Sequence, residues 1–144
     1  KLFLNGEVAD VPLLSGTVTD EGTMFTFGYF YYPMYPIATK NSPGYNWFLN
    51  RSLFGHGAAY SAQKLAAVRE LYPPQAKTDM RPTAALYIAD KAFFCGTRMM
   101  MRVMQAKNRR AYNYRFNHRP TCPAYVTTMP GVPHTSELTS VFAM

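Results

Sequence analysis

Hydrophobic and polar positions along the chain fall into two periods. The first punctuated apolar run, Val11-Pro12-Leu13-Leu14-Ser15-Gly16-Thr17-Val18-Thr19, is short, β-prone and nearly continuous, the pattern of a strand buried on both faces in a parallel sheet. Pro12 falls at its first residues, where a strand tolerates a missing N–H, and Asp20-Glu21-Gly22 ends it in a polar turn. From Phe25 to Tyr45 the chain is crowded with aromatics, Pro and Gly, which predicts irregular structure after a short helical start. A short helix is expected over 45–54. A helical period then places Leu65, Val68 and Leu71 with Tyr72 on one face of a helix over 61–72, with Ser61 as N-cap and Pro73-Pro74 as the stop. Pro82 opens a further helix over 83–94. Met99, Met100, Val103 and Met104 form an apolar stripe on a helix over 97–107, with Arg98, Arg102 and Lys107 elsewhere on its surface. Basic residues at its end suit the helix dipole. Residues 111–116 alternate as a strand does. In Gly131-Val132-Pro133-His134-Thr135-Ser136-Glu137-Leu138 a glycine-proline loop presents a histidine at the start of a helix. Thr135 or Ser136 is its expected cap, and Glu137 lies in its first turn. Helix followed by strand, after an earlier buried strand, predicts an α/β fold.

Composition narrows the classes. The 144 residues match one ordinary domain, and 48% hydrophobic content excludes a disordered chain. No run of eighteen apolar residues is present, so no transmembrane helix is expected. The sequence begins at Lys1 without a leader and stops at Val141-Phe142-Ala143-Met144 inside an amphipathic segment. Both ends read as cut from a longer protein, so the missing signal peptide says nothing about the parent. The formal charge is +7, and between Lys91 and Arg119 stand eight Lys or Arg residues and no acidic one. A nucleic-acid face is one reading. The basic residues are interleaved with methionines and tyrosines, which favours solvated helix and loop surface, and no nucleic-acid partner is expected. The two cysteines, Cys95 and Cys122, lack a CxxC spacing, and neither His56 nor His118 makes a ligand spacing with a second histidine. No metal and no cofactor are expected.

Two motifs carry most of the chemistry. Gly16-Thr17-Val18-Thr19-Asp20-Glu21-Gly22-Thr23-Met24-Phe25 resembles the strand-end segment of the type-B carboxylesterase/lipase family (cholinesterase-like serine esterases) that bears the acid of a catalytic triad. Gly131-Val132-Pro133-His134-Thr135-Ser136-Glu137-Leu138 resembles the Gly-x-x-His-Gly-x-Glu segment that bears its histidine. Between them, Asp90-Lys91-Ala92-Phe93-Phe94-Cys95 resembles the family's Asp-x-x-Phe-x-Cys stretch, and Tyr112-Asn113-Tyr114-Arg115-Phe116-Asn117-His118 its Tyr-x-Tyr-x-Phe-x-His strand. The resemblance spans nearly the whole chain in the family's order. It implies the C-terminal part of an α/β-hydrolase catalytic domain, incomplete on its own, occupying residues 1–144.

The resemblance further implies a Ser-Glu-His triad with Glu21 as acid and His134 as base, in the hydrolase chain order Ser, acid, His. No Gly-x-Ser-x-Gly elbow occurs in the sequence, so the nucleophile and the glycine-rich oxyanion loop are expected upstream and the isolated chain is expected to be inactive. Glu137 matches a glutamate buried near the family's triad, where it supports the catalytic groups. Thr135 departs from the family, which has glycine there. Threonine leads us to expect a negative φ, with a slight tilt of the imidazole or a narrower pocket. Cys95 and Cys122 would lie at the same edge of the sheet, which leaves a disulfide between them open. The family's alternative pairs Cys95 with a cysteine beyond Met144. Asn50-Arg51-Ser52 is an N-glycosylation sequon, and members of the family are usually secreted. The expected function is hydrolysis of small-molecule or lipid esters. The alternative is a non-catalytic, cholinesterase-like adhesion or binding module of the same fold.

Overall fold

The parallel pairing of two short strands brings together the segments that follow them. The computed structural model describes residues 5, 7, 9–27, 62–73, 79–119, 121 and 129–142. In chain order these contain β1 (Leu13–Val18), α1 (Thr23–Phe27), α2 (Ala62–Leu71), α3 (Arg81–Ile88), a π-helical segment (Ala89–Phe94), α4 (Cys95–Ala106), β2 (Ala111–Phe116) and α5 (Leu138–Val141). β1 and β2 pair in parallel, with Leu13 opposite Ala111 and Val18 opposite Phe116. Parallel strands with helices in the connection form an α/β arrangement. The described part of the sheet has two strands and is smaller than a complete α/β-hydrolase sheet.

The strand is shorter than expected: Pro12 stands just outside β1. Its burial is also uneven. Val18 is fully buried and Thr17 nearly so, whereas Leu14 is 69% exposed. The expected burial on both faces therefore holds only at the carboxyl end, where the functional segments converge.

The core forms where α3 turns one face inward. Met80, Ala84, Tyr87 and Ile88 follow the i, i+4, i+7, i+8 spacing of one helix face and are all buried. Phe25 from α1, Leu65 and Val68 from α2, and Tyr72 and Phe93 pack against them. The helix opens as its proline predicts, with Pro82 in the first two positions. Asp79 accepts a bond from the Arg81 backbone N–H and a bidentate pair from its guanidinium. That guanidinium holds the Asp79 carboxyl below the usual range. Tyr72 closes the cluster edge-on to Tyr87, with ring centroids 5.4 Å apart. Its hydroxyl donates to Asp90 at 2.8 Å.

The helices expected over 83–94 and 97–107 are one continuous run. Where a break was expected the backbone passes through the π-helical segment, and the Cys95 N–H reaches back five residues to the Asp90 carbonyl. Cys95 and Gly96 contain no proline to force an end, and the wider turn absorbs the change of direction. On α4, Met104 is buried and Met100 and Val103 are half-buried, but Met99 is 51% exposed, so the apolar stripe is narrower than its sequence suggested. No basic residue lies in the last turn of α4. Lys107 instead occupies the C-cap. Asn108 takes a positive φ of 52°, and the Asn108 and Arg109 N–H groups bond back to Gln105 and Met104. This is a Schellman ending with asparagine at the left-handed position. It reverses the chain toward β2, and the Arg110 carbonyl accepts from Leu13 N–H at 3.0 Å. On the helix over 62–71, Leu65, Val68 and Tyr72 pack on the core as expected, but Leu71, expected on the same face, is 73% exposed at the helix end. Its expected cap Ser61, the helix expected over 45–54 and most of the aromatic stretch lie outside the described residues. No helix among the described residues is long and apolar enough to cross a membrane.

Candidate active site

Immediately after β1 the chain makes a tight turn. The Thr23 N–H and hydroxyl both donate to the Asp20 carbonyl, at 3.0 and 2.8 Å, and α1 begins. Gly22 is pressed onto the backbone of α3, where any Cβ would overlap the Ala85 carbonyl. The turn sends the Glu21 side chain back under its own strand. Glu21 is 3% exposed. Its Oε1 accepts the Val18 N–H at 2.8 Å, and its Oε2 lies 2.6 Å from His134 Nδ1. Both oxygens of a buried carboxylate are thus occupied, as burial of a charge requires.

His134 comes from the opposite direction along the chain. Pro133 bridges Asp20 as a parallel partner beyond the ends of the named strands. The Ser136 N–H then bonds to the Pro133 carbonyl at 3.1 Å, closing a four-residue turn with His134 and Thr135 at its centre. Thr135 has φ 73°, contrary to the negative value expected from its side chain. A positive φ at the third residue is the pattern of a type II turn, which glycine occupies without strain. The turn that presents the imidazole dictates this backbone, and threonine conforms to it. The imidazole, about one-third exposed by its side chain (32%), lies 4.7 Å from the Phe93 ring and 5.7 Å from the Phe25 ring, centroid to centroid.

A neutral imidazole that donates its Nδ1 proton to Glu21 carries its lone pair on Nε2. The pair can therefore act as a general base whose orientation and tautomer are set by a buried carboxylate. Among the described residues no group of three His, Cys, Asp or Glu side chains is placed to hold a metal ion.

The remaining residues singled out in the sequence are placed as follows. Glu137 is the N-cap residue of α5 rather than part of its first turn, and no side chain caps that helix. Its Oε2 and the Ser136 hydroxyl are buried without a hydrogen-bond partner, so neither Ser136 nor Glu137 bonds to the Glu21–His134 pair through those atoms. His118 lies edge-on to Phe116, with centroids 6.2 Å apart. Cys95, the first residue of α4, is an exposed free thiol. Cys122, Asn50 and His56 lie outside the described residues. Sequence reasoning passed over Asp20 and Phe93 as site residues. Asp20 was hidden beside the more conspicuous Glu21. Each stands in a segment that carries the resemblance, Asp20 beside the acid and Phe93 in the Asp-x-x-Phe-x-Cys stretch.

The profile of the Carboxylesterase family matches residues 1–144, the whole sequence. A search of curated proteins gave no match.

Proposed function

The chain belongs to the carboxylesterase family, which places it with the ester hydrolases at the level of the family, and from that premise we propose that Glu21 and His134 are the acid and base of a Ser-Glu-His triad whose serine lies upstream of Lys1. The observation that carries this reading is the 2.6 Å bond between His134 Nδ1 and a Glu21 carboxylate that is 3% exposed. Such a bond leaves Nε2 to take the proton from the serine hydroxyl as its oxygen attacks the ester carbonyl carbon. The same nitrogen returns the proton to the departing alcohol, giving an acyl-enzyme. Water then enters by the reverse sequence and releases the acid. Glu21 stays ionised throughout, holding the tautomer and stabilising the imidazolium.

In this reading residues 1–144 are the C-terminal portion of one α/β-hydrolase domain. They lack a nucleophile and are inactive alone. The substrate is a small-molecule or lipid carboxylic ester. The retained acid–base pair favours a hydrolase over an adhesion module of the same fold. Secretion and glycosylation at Asn50 belong to the same proposal, and a mobility shift on enzymatic deglycosylation reads the second. The decisive experiment is His134→Ala in the full-length protein, assayed on p-nitrophenyl acetate. A fall in kcat on the order of 10⁴-fold or more is expected, and a variant within tenfold of wild type removes the triad reading.

A further inference from the structure

We propose that Asp20 is a positioning residue that fixes the histidine loop against the segment carrying the acid; this rests on the triad reading of Glu21 and His134. Asp20 immediately precedes Glu21, and Val132 stands two residues before His134. The two are joined twice. The Asp20 N–H donates to the Val132 carbonyl at 3.0 Å, and Asp20 Oδ2 accepts the Val132 N–H at 2.7 Å. One residue thus uses a backbone donor and a side-chain acceptor on both polar groups of a single partner. Such a closed pair defines orientation as well as distance, and its carboxylate bond is of the short, charge-assisted kind.

Asp20 is itself immobilised. Its carbonyl accepts two bonds from Thr23, and it forms the parallel bridge to Pro133. The loop is shaped to it in turn: Gly131 has φ 78°, and a Cβ there would overlap the Asp20 carboxylate. The base is otherwise joined to the acid through one hydrogen bond between side chains. A side-chain bond sets the distance between carboxylate and imidazole but does not by itself define the orientation of the loop backbone. The Asp20–Val132 pair defines it one residue before the acid and two residues before the base. Productive geometry is demanding, and a displacement of about 1 Å can cost on the order of 10²-fold in rate.

The test is a set of variants in the full-length esterase, with kcat and KM for p-nitrophenyl acetate. Asp20→Ala is expected to lower kcat about 10²-fold while KM stays within about threefold, because the substrate is bound by other residues. Asp20→Asn keeps an acceptor oxygen of the same reach for the Val132 N–H and is expected to restore kcat to within about fivefold of wild type. Asp20→Glu keeps the charge but misplaces it, and is expected to lower kcat about tenfold at unchanged KM. The Asn–Glu contrast decides the matter even where Asp20→Ala does not accumulate as folded protein. Equal loss in Asp20→Asn and Asp20→Glu overturns the proposal, as does wild-type kcat in Asp20→Glu or a change confined to KM. His134→Ala in the same series separates the two levels. If it stays active, the triad reading is lost. If it is inactive while the Asp20 variants match wild type, only the positioning role is lost.

Discussion

The ring of Phe93 lies against the imidazole of His134, with centroids 4.7 Å apart and planes inclined at 43°. Phe25 contacts both, 5.9 Å from Phe93 and 5.7 Å from His134. The imidazole is therefore bonded to Glu21 and forms one aromatic cluster with both rings. Rotation away from the carboxylate would give up both the bond to Glu21 and the contact with Phe93.

Truncation of Phe93 tests that packing. Phe93→Ala removes a half-buried ring that also touches the core cluster. It is expected to cost about 2–4 kcal/mol of stability and to lower kcat at nearly constant KM. Phe93→Tyr, which keeps the ring, should preserve both. Urea unfolding and steady-state kinetics on the full-length protein measure the two effects.

Glu21→Gln is isosteric but presents an amide where a carboxylate now stands. The amide NH₂ can face the imidazole only if Nδ1 gives up its proton, which moves the proton to Nε2. The tautomer is then wrong for a base, and kcat should fall on the order of 10⁴-fold with the fold retained. Near-wild-type turnover with a native melting curve would exclude the role assigned to Glu21.

Thr135→Gly should stabilise the protein. A β-branched residue at φ 73° is strained by about 1–2 kcal/mol, and glycine relieves that at an entropic cost of about 0.5–1 kcal/mol. A net gain of a few tenths to about 1 kcal/mol is expected in urea unfolding. A loss of stability would mean that the threonine side chain contributes more than its backbone costs.

Tyr72 gives a pH signature. Burial, and next the bond to Asp90, raise its hydroxyl above the ordinary tyrosine range. A group whose proton is held more tightly in the folded state contributes stability that is complete below its unfolded pKa, about 10, and is lost as pH rises past it. Wild type should therefore lose stability above about pH 10 more steeply than Tyr72→Phe. Thermal melts from pH 7 to 11 compare the slopes.

Much of this was legible in the sequence because the relevant signals are local. The strand over 111–116, the helix face of Leu65 and Val68, and the order of the acid and histidine motifs need only neighbouring residues to be read. The misses share a different physics. Thr135 was read from its own side chain, yet its φ is set by a turn closed between Pro133 and Ser136. Asp20 acts through Val132, 112 residues away, a separation no periodicity spans. Phe93 reaches His134 from a helix segment whose i to i+5 bonding leaves no pattern in the residue types. Leu14 fits a buried strand by composition, while its exposure depends on what covers the sheet.

The π-helical segment also fixes a length. Each residue of an ordinary helix turns its successors by about 100°. The extra residue held between Ala89 and Phe94 therefore sets the angular offset between the core face of α3 and the sheet-facing side of α4. Removing one residue there, even a solvent-exposed one such as Ala92, would restore regular helix and turn α4 so that Met104 could not stay buried while Met80 holds the core. The region should accept many substitutions and very few insertions or deletions: its information lies in the number of residues more than in their identity.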